Sequence, residues 1–467
     1  MKLRIILGFT LLAICWGCQE KQSKTEEKNQ EHVLLSGNIT NYNGAVLKIQ
    51  DFMGRASWKT EIEINDGSFS KILSADMPMV TMLTFSRTFK NIFLQPGETL
   101  EVYFDTKAID STFSYAGSLA EENAILDSIQ VERIKVDYKF VYGESLETAS
   151  QYLDSVTKAH NSYLTRLVKD KTLKPKFKDF AKASIDYNSA MYKLFIASRK
   201  DKHPKDYYNF IEDLGIEKEE YLGIMDYRVF LNEYITMKAQ ESLSQLDSIQ
   251  QDTPDALFEE SLKVIEGLEN EDVKNYALFN AMNTRLKDYG ITGFNQFYDY
   301  FKEKNKDPYY DKQLELVYKE KQSLAPGQPA PAFTLVDVNG EMVSLSDFKG
   351  KYVYLDFWHT GCKYCIKETD AYVELYADYA GQDIAFVSVS ADLDQGKWKN
   401  YVLKNKNVGV SLVTENYWDS KEFQNYQVSA SPTYVIVDKE GNILDPKAPY
   451  PSSPEIRETF DRLVMSE

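Results

Sequence analysis

The sequence predicts a multidomain α+β protein in three folded parts: an N-terminal antiparallel β-sandwich-like module over residues 32–110, a helical domain over 118–322, and a C-terminal α/β domain over 325–467. Three observations carry this prediction. Short alternating apolar runs recur at roughly ten-residue spacing before residue 110. Glycine and proline then become sparse, and an apolar period of 3.6 takes over. Finally, Ala325-Pro326-Gly327-Gln328-Pro329-Ala330-Pro331 fits neither a helix nor a central strand, and alternating strand and helix patterns follow it. A chain of 467 residues is too long for one ordinary domain, and 43% hydrophobic residues suffice for packed cores. The formal net charge of −17 argues against a nucleic-acid partner, whose phosphates would be repelled.

Residues 1–17 read as a signal peptide. Lys2 and Arg4 give a positive start, and Ile5 to Trp16 is apolar but too short to span a bilayer. Gly17-Cys18 follows, then polar Gln19-Glu20-Lys21-Gln22. This resembles a bacterial lipoprotein signal, which implies cleavage before Cys18 and a lipid on its thiol. Cys15 and Trp16 depart from the aliphatic and small residues usual in such signals, and a plain secretory signal is the alternative. Either way the chain is expected to leave the cytoplasm for the cell envelope, on the periplasmic side or as an outer-membrane lipoprotein. Residues 18–31 are charged and apolar-poor, so a flexible tether is expected.

In the β module, Val33 to Ile39 alternates and Asn41 to Gly44 turns. Val46, Ile49 and Phe52 mark a second strand, and Trp58 to Ile64 a third. Asn65-Asp66-Gly67 turns into Phe69–Leu73; Met79–Phe85, Asn91–Leu94 and Leu100–Phe104 follow, with Pro96-Gly97 as a turn. The Ile92–Phe104 run resembles the small module that often precedes a redox domain in envelope lipoproteins. No catalytic constellation stands out in it, and a scaffold or partner-binding role is expected.

The middle reads as amphipathic helices over Leu119–Phe140, Leu146–Leu173, Phe177–Arg199, Tyr207–Leu214, Glu220–Leu243, Ala256–Leu286, Phe294–Asn305 and Tyr309–Leu324. No repeat period is evident. The tyrosines on these helices are expected in core and rim.

In the C-terminal part, Asn339-Gly340 marks a hairpin with a two-residue turn. An apolar run, Tyr352 to Phe357, then leads into a helix-like segment, Ile366 to Tyr379. Cys362 and Cys365 lie where strand gives way to helix. A helix start presents unpaired N–H groups and the positive end of the peptide dipole, so a thiolate there is stabilised. Cys362, at the tip, is expected to attack a disulfide, and Cys365, one turn further, to resolve the product. Half a zinc site is the rival reading, but the other cysteines are Cys15 and Cys18 and the four histidines are scattered, so no metal is expected. Two idle buried cysteines are the remaining alternative.

Residues 325–467 resemble the TlpA-like branch of the thioredoxin superfamily, the envelope thiol–disulfide oxidoreductases. Gly327, Ala330, Pro331, Phe333, Leu335 and Gly340 match its opening hairpin, and Phe357-Trp358 with Cys362-x-x-Cys365 its active site. Glu368 matches an acidic position of the branch, Val428 to Thr433 the loop that holds a cis-proline, and Asp356 a buried acid of the superfamily. The resemblance implies a thioredoxin-like fold and a redox-active Cys362–Cys365 disulfide with no other cofactor. Asp356, flanked by Leu355 and Phe357, is expected to be buried with a raised pKa and to move the Cys365 proton. Glu368, at i+3 from Cys365, is expected to share that work. Ser431 and Pro432 are expected to face Cys362 and receive substrate backbone, and Trp358 to cover the disulfide and offer docking surface. His359 and Lys363 are candidates for added positive potential. Gly361 stands where the family usually has Trp, and Lys363-Tyr364 differs from the Gly-Pro of thioredoxin itself.

The function expected is a lipid-anchored envelope thiol–disulfide oxidoreductase, chiefly a disulfide reductase. Its partners would be protein disulfide or dithiol substrates and an upstream redox protein. Two rivals stand beside it. A peroxiredoxin-like peroxidase would need Thr three residues before its cysteine, where this chain has His359. A surface-lipoprotein binding module would use residues 32–322 to capture a partner or nutrient, with an auxiliary redox domain.

Overall fold

The structure is a computed structural model, and it describes residues 32–465 apart from short segments at 51–58, 76, 87, 134–135, 201–202, 205, 248–254, 406–407 and 416. Cys18, the signal peptide and the tether lie outside the described residues, as do Phe52 and Trp58.

Residues 32–116 form two sheets. His32–Thr40 lies between Ser68–Ser74 and Thr99–Asp105 in a five-stranded sheet; Leu47–Gln50 lies between Lys59–Ile62 and Met79–Phe85 in a four-stranded one, with Thr88–Leu94 at its edge. The Asn65–Ser68 hairpin turns through Asp66 (φ 50°) and Gly67 (φ 81°), the two left-handed positions of a type I′ turn. One pair departs from the antiparallel expectation: His32–Thr40 runs parallel to Thr99–Asp105. The connection between these strands holds the whole second sheet together with Ile64–Asn65 and Ser68–Ser74 of the first, a crossover long enough for the chain to return in its original direction.

The helices pack on this module through one continuous apolar cluster, which includes Val33, Phe93, Phe180, Tyr227, Phe279 and Leu314. Two polar contacts stitch the joint. Asn123, fully buried on Ala120–Arg133, accepts from the Phe93 N–H (2.8 Å) and donates to the Phe93 carbonyl (3.0 Å), completing an edge strand's backbone pairing. Val80 N–H donates to the Gly223 carbonyl at 3.0 Å, and a Cβ on Gly223 would fall 2.1 Å from the Pro78 carbonyl oxygen.

Two long helices expected from periodicity are broken. Leu119–Phe140 resolves into Ala120–Arg133 and Tyr138–Gly143, the latter capped by Asp137. Ala256–Leu286 resolves into Ala256–Glu266 and Glu271–Tyr289, where the Asn270 side chain accepts from Val273 N–H. In both, a side-chain cap satisfies a helix start that the apolar period alone cannot register. Among the described residues no helix is long and apolar enough to cross a membrane.

The C-terminal domain is a seven-stranded sheet in the order Met342–Ser344, Thr334–Asp337, Val410–Val413, Ile384–Ser390, Tyr352–Trp358, Thr433–Val437, Ile443–Asp445. The opening hairpin closes with Asp337 N–H on the Glu341 carbonyl (2.8 Å). Its loop therefore holds Val338, Asn339 and Gly340 (φ 95°), three residues instead of the expected two. Strand Val410–Val413 and the short helix Lys421–Asn425 were not foreseen. Alternation along Tyr352–Trp358 builds both faces. Val353, Leu355 and Phe357 join Phe423, Tyr426 and Leu324; Tyr354 joins Tyr372, Leu375 and Phe460 from the helices Lys363–Asp378 and Pro454–Met465. This thioredoxin-like sheet, with helices on both faces, delivers the two cysteines at the end of its central strand.

Candidate active site

Strand register assembles the site. Trp358, the last residue of the central strand, pairs with Ser390 of the parallel neighbour. Phe357 pairs with Thr433 of the antiparallel neighbour. The loops after Ser390 and before Thr433 therefore converge on the chain just beyond Trp358, where the cysteines lie.

Helix Lys363–Asp378 begins earlier than its apolar pattern suggests, because Cys362 is its N-cap. The Cys362 sulfur accepts from Cys365 N–H at 3.0 Å, so a free helix-terminal donor points at it. Cys362 and Cys365 are joined by a disulfide with their Cα atoms 5.3 Å apart. Cys362 Sγ also lies 3.4 Å from the Ser431 carbonyl oxygen, and the Ser431–Pro432 peptide bond is cis. The Ser431 carbonyl thus stands against Cys362, beside the cis peptide bond. Among the described residues, no group of three or more His, Cys, Asp or Glu is suited to a metal ion.

Asp356 lines a small cavity with Cys365, Glu368, Tyr372 and Tyr434. The residue keeps some surface toward this cavity, but its Oδ1 is out of contact with solvent and has no hydrogen-bond partner. Desolvation, reinforced by the negative charge of Glu368, pushes the Asp356 carboxyl from 3.8 up to about 8. At neutral pH, with the disulfide closed, Asp356 therefore holds its proton. Burial also raises the Tyr372 and Tyr434 hydroxyls above their ordinary value, so they stay protonated.

Glu368 faces the same cavity, and the Ser452 hydroxyl (2.9 Å) and N–H (3.0 Å) both donate to its carboxylate. Its negative charge acts on Asp356. Two expectations need correction. Trp358 is 4% exposed and packs beneath the disulfide with Trp398 and Val402, so it supports the site from below and offers no docking surface. Tyr364, between the cysteines, is 75% exposed. His359 does not supply positive potential. Burial lowers its pKa, and its Nδ1 accepts from Gly361 N–H (3.1 Å), which requires a neutral ring. Lys363 is exposed.

Asp392 was missed by sequence reasoning. It is buried just beyond Ser390 and accepts from Thr360 N–H (2.8 Å), the Thr360 hydroxyl (2.7 Å) and the Ser390 hydroxyl (2.7 Å). These bonds clamp the loop that leads into Cys362. Asp392→Ala leaves the Thr360 N–H without its acceptor and is expected to cost about 2–4 kcal/mol, read by denaturant unfolding. A cost below about 0.5 kcal/mol would show that the loop holds itself.

Residues 326–445 match the family model described as AhpC/TSA family. The chain is 33% identical over 128 residues to thiol-disulfide oxidoreductase ResA of Bacillus subtilis (strain 168), covering 27% of this chain and 70% of that relative. It is 31% identical over 128 residues to the ResA of Bacillus anthracis, covering 27% of this chain and 72% of that protein. A crystal structure of the thioredoxin domain of a thiol-disulfide oxidoreductase from Bacteroides vulgatus is 32% identical, covers 30% of this chain and 99% of that chain, and superposes with a TM-score of 0.28.

Proposed function

The chain belongs to the TlpA-like thiol-disulfide oxidoreductases of the ResA group, and on that premise we propose that it reduces disulfides of protein substrates in the cell envelope through Cys362 and Cys365. The observation that carries the proposal is the Cys362 sulfur at a helix N-cap, bonded to Cys365, with a protonated carboxyl behind the second sulfur.

In the reduced enzyme the Cys362 thiolate attacks one sulfur of a substrate disulfide. A Cys362–substrate disulfide forms, and the other substrate sulfur leaves as a thiolate that takes a proton from solvent. Asp356, as carboxylate, takes the proton of Cys365. The Cys365 thiolate then attacks Cys362 Sγ, releasing the second substrate thiolate and closing the Cys362–Cys365 bond. Two electrons pass to the substrate. An upstream dithiol restores the pair by the reverse route: one of its thiolates attacks Cys362 Sγ, Cys365 leaves as thiolate and takes the Asp356 proton, and the second upstream thiolate then attacks the first sulfur, releasing Cys362 as thiolate and closing the upstream disulfide. Reduction is the favoured direction because the TlpA-like branch is mostly reducing. A lipid on Cys18 would hold the domain at the membrane.

The test is Cys365→Ser, which leaves the attacking sulfur but removes the resolving one. After incubation with oxidised insulin, the variant is expected to accumulate a Cys362–insulin disulfide that mass spectrometry locates. Its failure to form any adduct, with Cys362 free and the fold intact, would refute the assignment.

The binding-module reading has one observation in its favour. A cavity of about 370 Å³ lies between Met79–Phe85, Thr88–Leu94 and the helices, lined by Met82, Phe89, Met191, Tyr192, Met225 and Asp226, and its size suits a small ligand. Ligand binding that survives loss of both thiols would favour this reading, and the two functions are compatible in one chain.

A further inference from the structure

The segment that carries Ser431 to Cys362 begins at the helical domain. Gln427 is a non-glycine residue in the left-handed region (φ 53°), four positions before Ser431. Its Nε2 donates to the Glu320 carbonyl (2.5 Å) and to the Ser323 hydroxyl (3.2 Å). Glu320 lies in the last turn of helix Pro308–Gln322, and Ser323 is that helix's C-cap. The next residue, Leu324, is 5% exposed and enters the redox domain's core beside Phe357, Tyr426 and Val428. On the redox side the segment is fastened at both flanks of Gln427. The Tyr426 hydroxyl donates to the Pro331 carbonyl (2.8 Å), and Val428 N–H donates to the Phe423 carbonyl (2.8 Å). Ser431 then places its carbonyl oxygen 3.4 Å from Cys362 Sγ.

We infer that Gln427 is a positioning residue, which ties the Ser431 loop to the end of the helical domain and so fixes the carbonyl that faces the reactive sulfur. This rests on the assignment of Cys362 as the reactive group and deepens it: the helical domain takes part in setting the reactivity of that sulfur. A carbonyl oxygen at this distance accepts a hydrogen bond from the thiol and repels the thiolate, so it favours the protonated form. It opposes the helix N-terminus, which favours the thiolate. Releasing the loop removes the first influence and leaves the second. Of the other charged or titratable groups near the two sulfurs, Asp356, His359, Lys363, Glu368, Tyr372 and Asp392 stand on elements that Gln427 does not hold, and Tyr434, on the strand after Pro432, is held by pairing with Asp356 and stays protonated through burial.

The experiment compares Gln427→Glu, which is nearly the same shape but turns the contact with the Glu320 carbonyl into a meeting of acceptors, with Gln427→Lys, which keeps a donor. In the reduced, purified full chain, the pH midpoint of Cys362 alkylation by iodoacetamide is expected to fall by about half a unit or more in Gln427→Glu and to stay at the wild-type value in Gln427→Lys. Should Gln427→Glu not fold, Gln427→Met is read in the same way. An unchanged midpoint in the acceptor or apolar variant, even with lowered thermal stability, reduces Gln427 to a structural brace and overturns the inference. So does an equal shift in Gln427→Lys. No substrate is present in this measurement, so its failure is distinct from a failure of disulfide reduction.

Discussion

Cys362→Ser is expected to bring insulin reduction down to the uncatalysed rate while leaving the circular dichroism of the protein unchanged. The serine hydroxyl is the same shape as the thiol but stays protonated at neutral pH, so the helix start has no anion to stabilise. Cys362 is only 7% exposed, and the substitution alters no surface on which the rest of the domain depends. Residual reduction above a few per cent would mean that another group carries the electrons. Cys365→Ser differs in kind: it retains the first step and stalls at the mixed disulfide.

Asp356→Asn is expected to slow turnover about 100-fold at pH 7, because the amide can neither take the Cys365 proton nor return it. Binding should change little, since Asp356 lies behind the disulfide, so the loss should appear in kcat and not in KM. The same variant tests the proton store through stability. In the unfolded chain this carboxyl loses its proton near 3.8, whereas in the oxidised native protein it does so near 8. Between these values the native state binds the extra proton, so stability falls as pH rises, by up to about 1.4 kcal/mol per unit. The contribution is complete below about pH 4 and has been lost above about pH 8. Asp356→Asn should erase that slope, and oxidised wild type and variant should diverge progressively in denaturant midpoint from pH 5 to pH 8. Parallel pH profiles would show that Asp356 ionises normally and is no proton store.

Much of the chemistry was legible in the sequence because it is local. Two cysteines three apart at a strand-to-helix junction, a proline within Ser431-Pro432-Thr433 and an acid between Leu355 and Phe357 are each marked as site candidates within a few residues, and the structure places them together. The β module was legible for a similar reason: turns such as Asn65-Asp66-Gly67 require backbone angles that few residues adopt. What escaped depends on register between distant segments. Asp392 meets Thr360 because Trp358 pairs with Ser390, and Ser452 reaches Glu368 across the domain. Gln427 meets Glu320 across a domain boundary that the Ala325–Pro331 stretch marks only as a break. His359 and Trp358 were misjudged for the same cause. Their types suggest charge and docking, and only the packing around them reveals a desolvated neutral ring and a supporting indole. The helices of the middle were found by their period but not by their ends, since caps such as Asp137 and Asn270 act through single hydrogen bonds.

The role assigned to Cys362 requires that the helix start make it an acidic, ready nucleophile. The rate of Cys362 alkylation in the reduced protein, followed as a function of pH, checks this. An inflection at about 7 or below is expected, as for a thiolate held by the Cys365 N–H and the helix terminus. An inflection at about 8.5 or above, the value of an ordinary thiol, would contradict it.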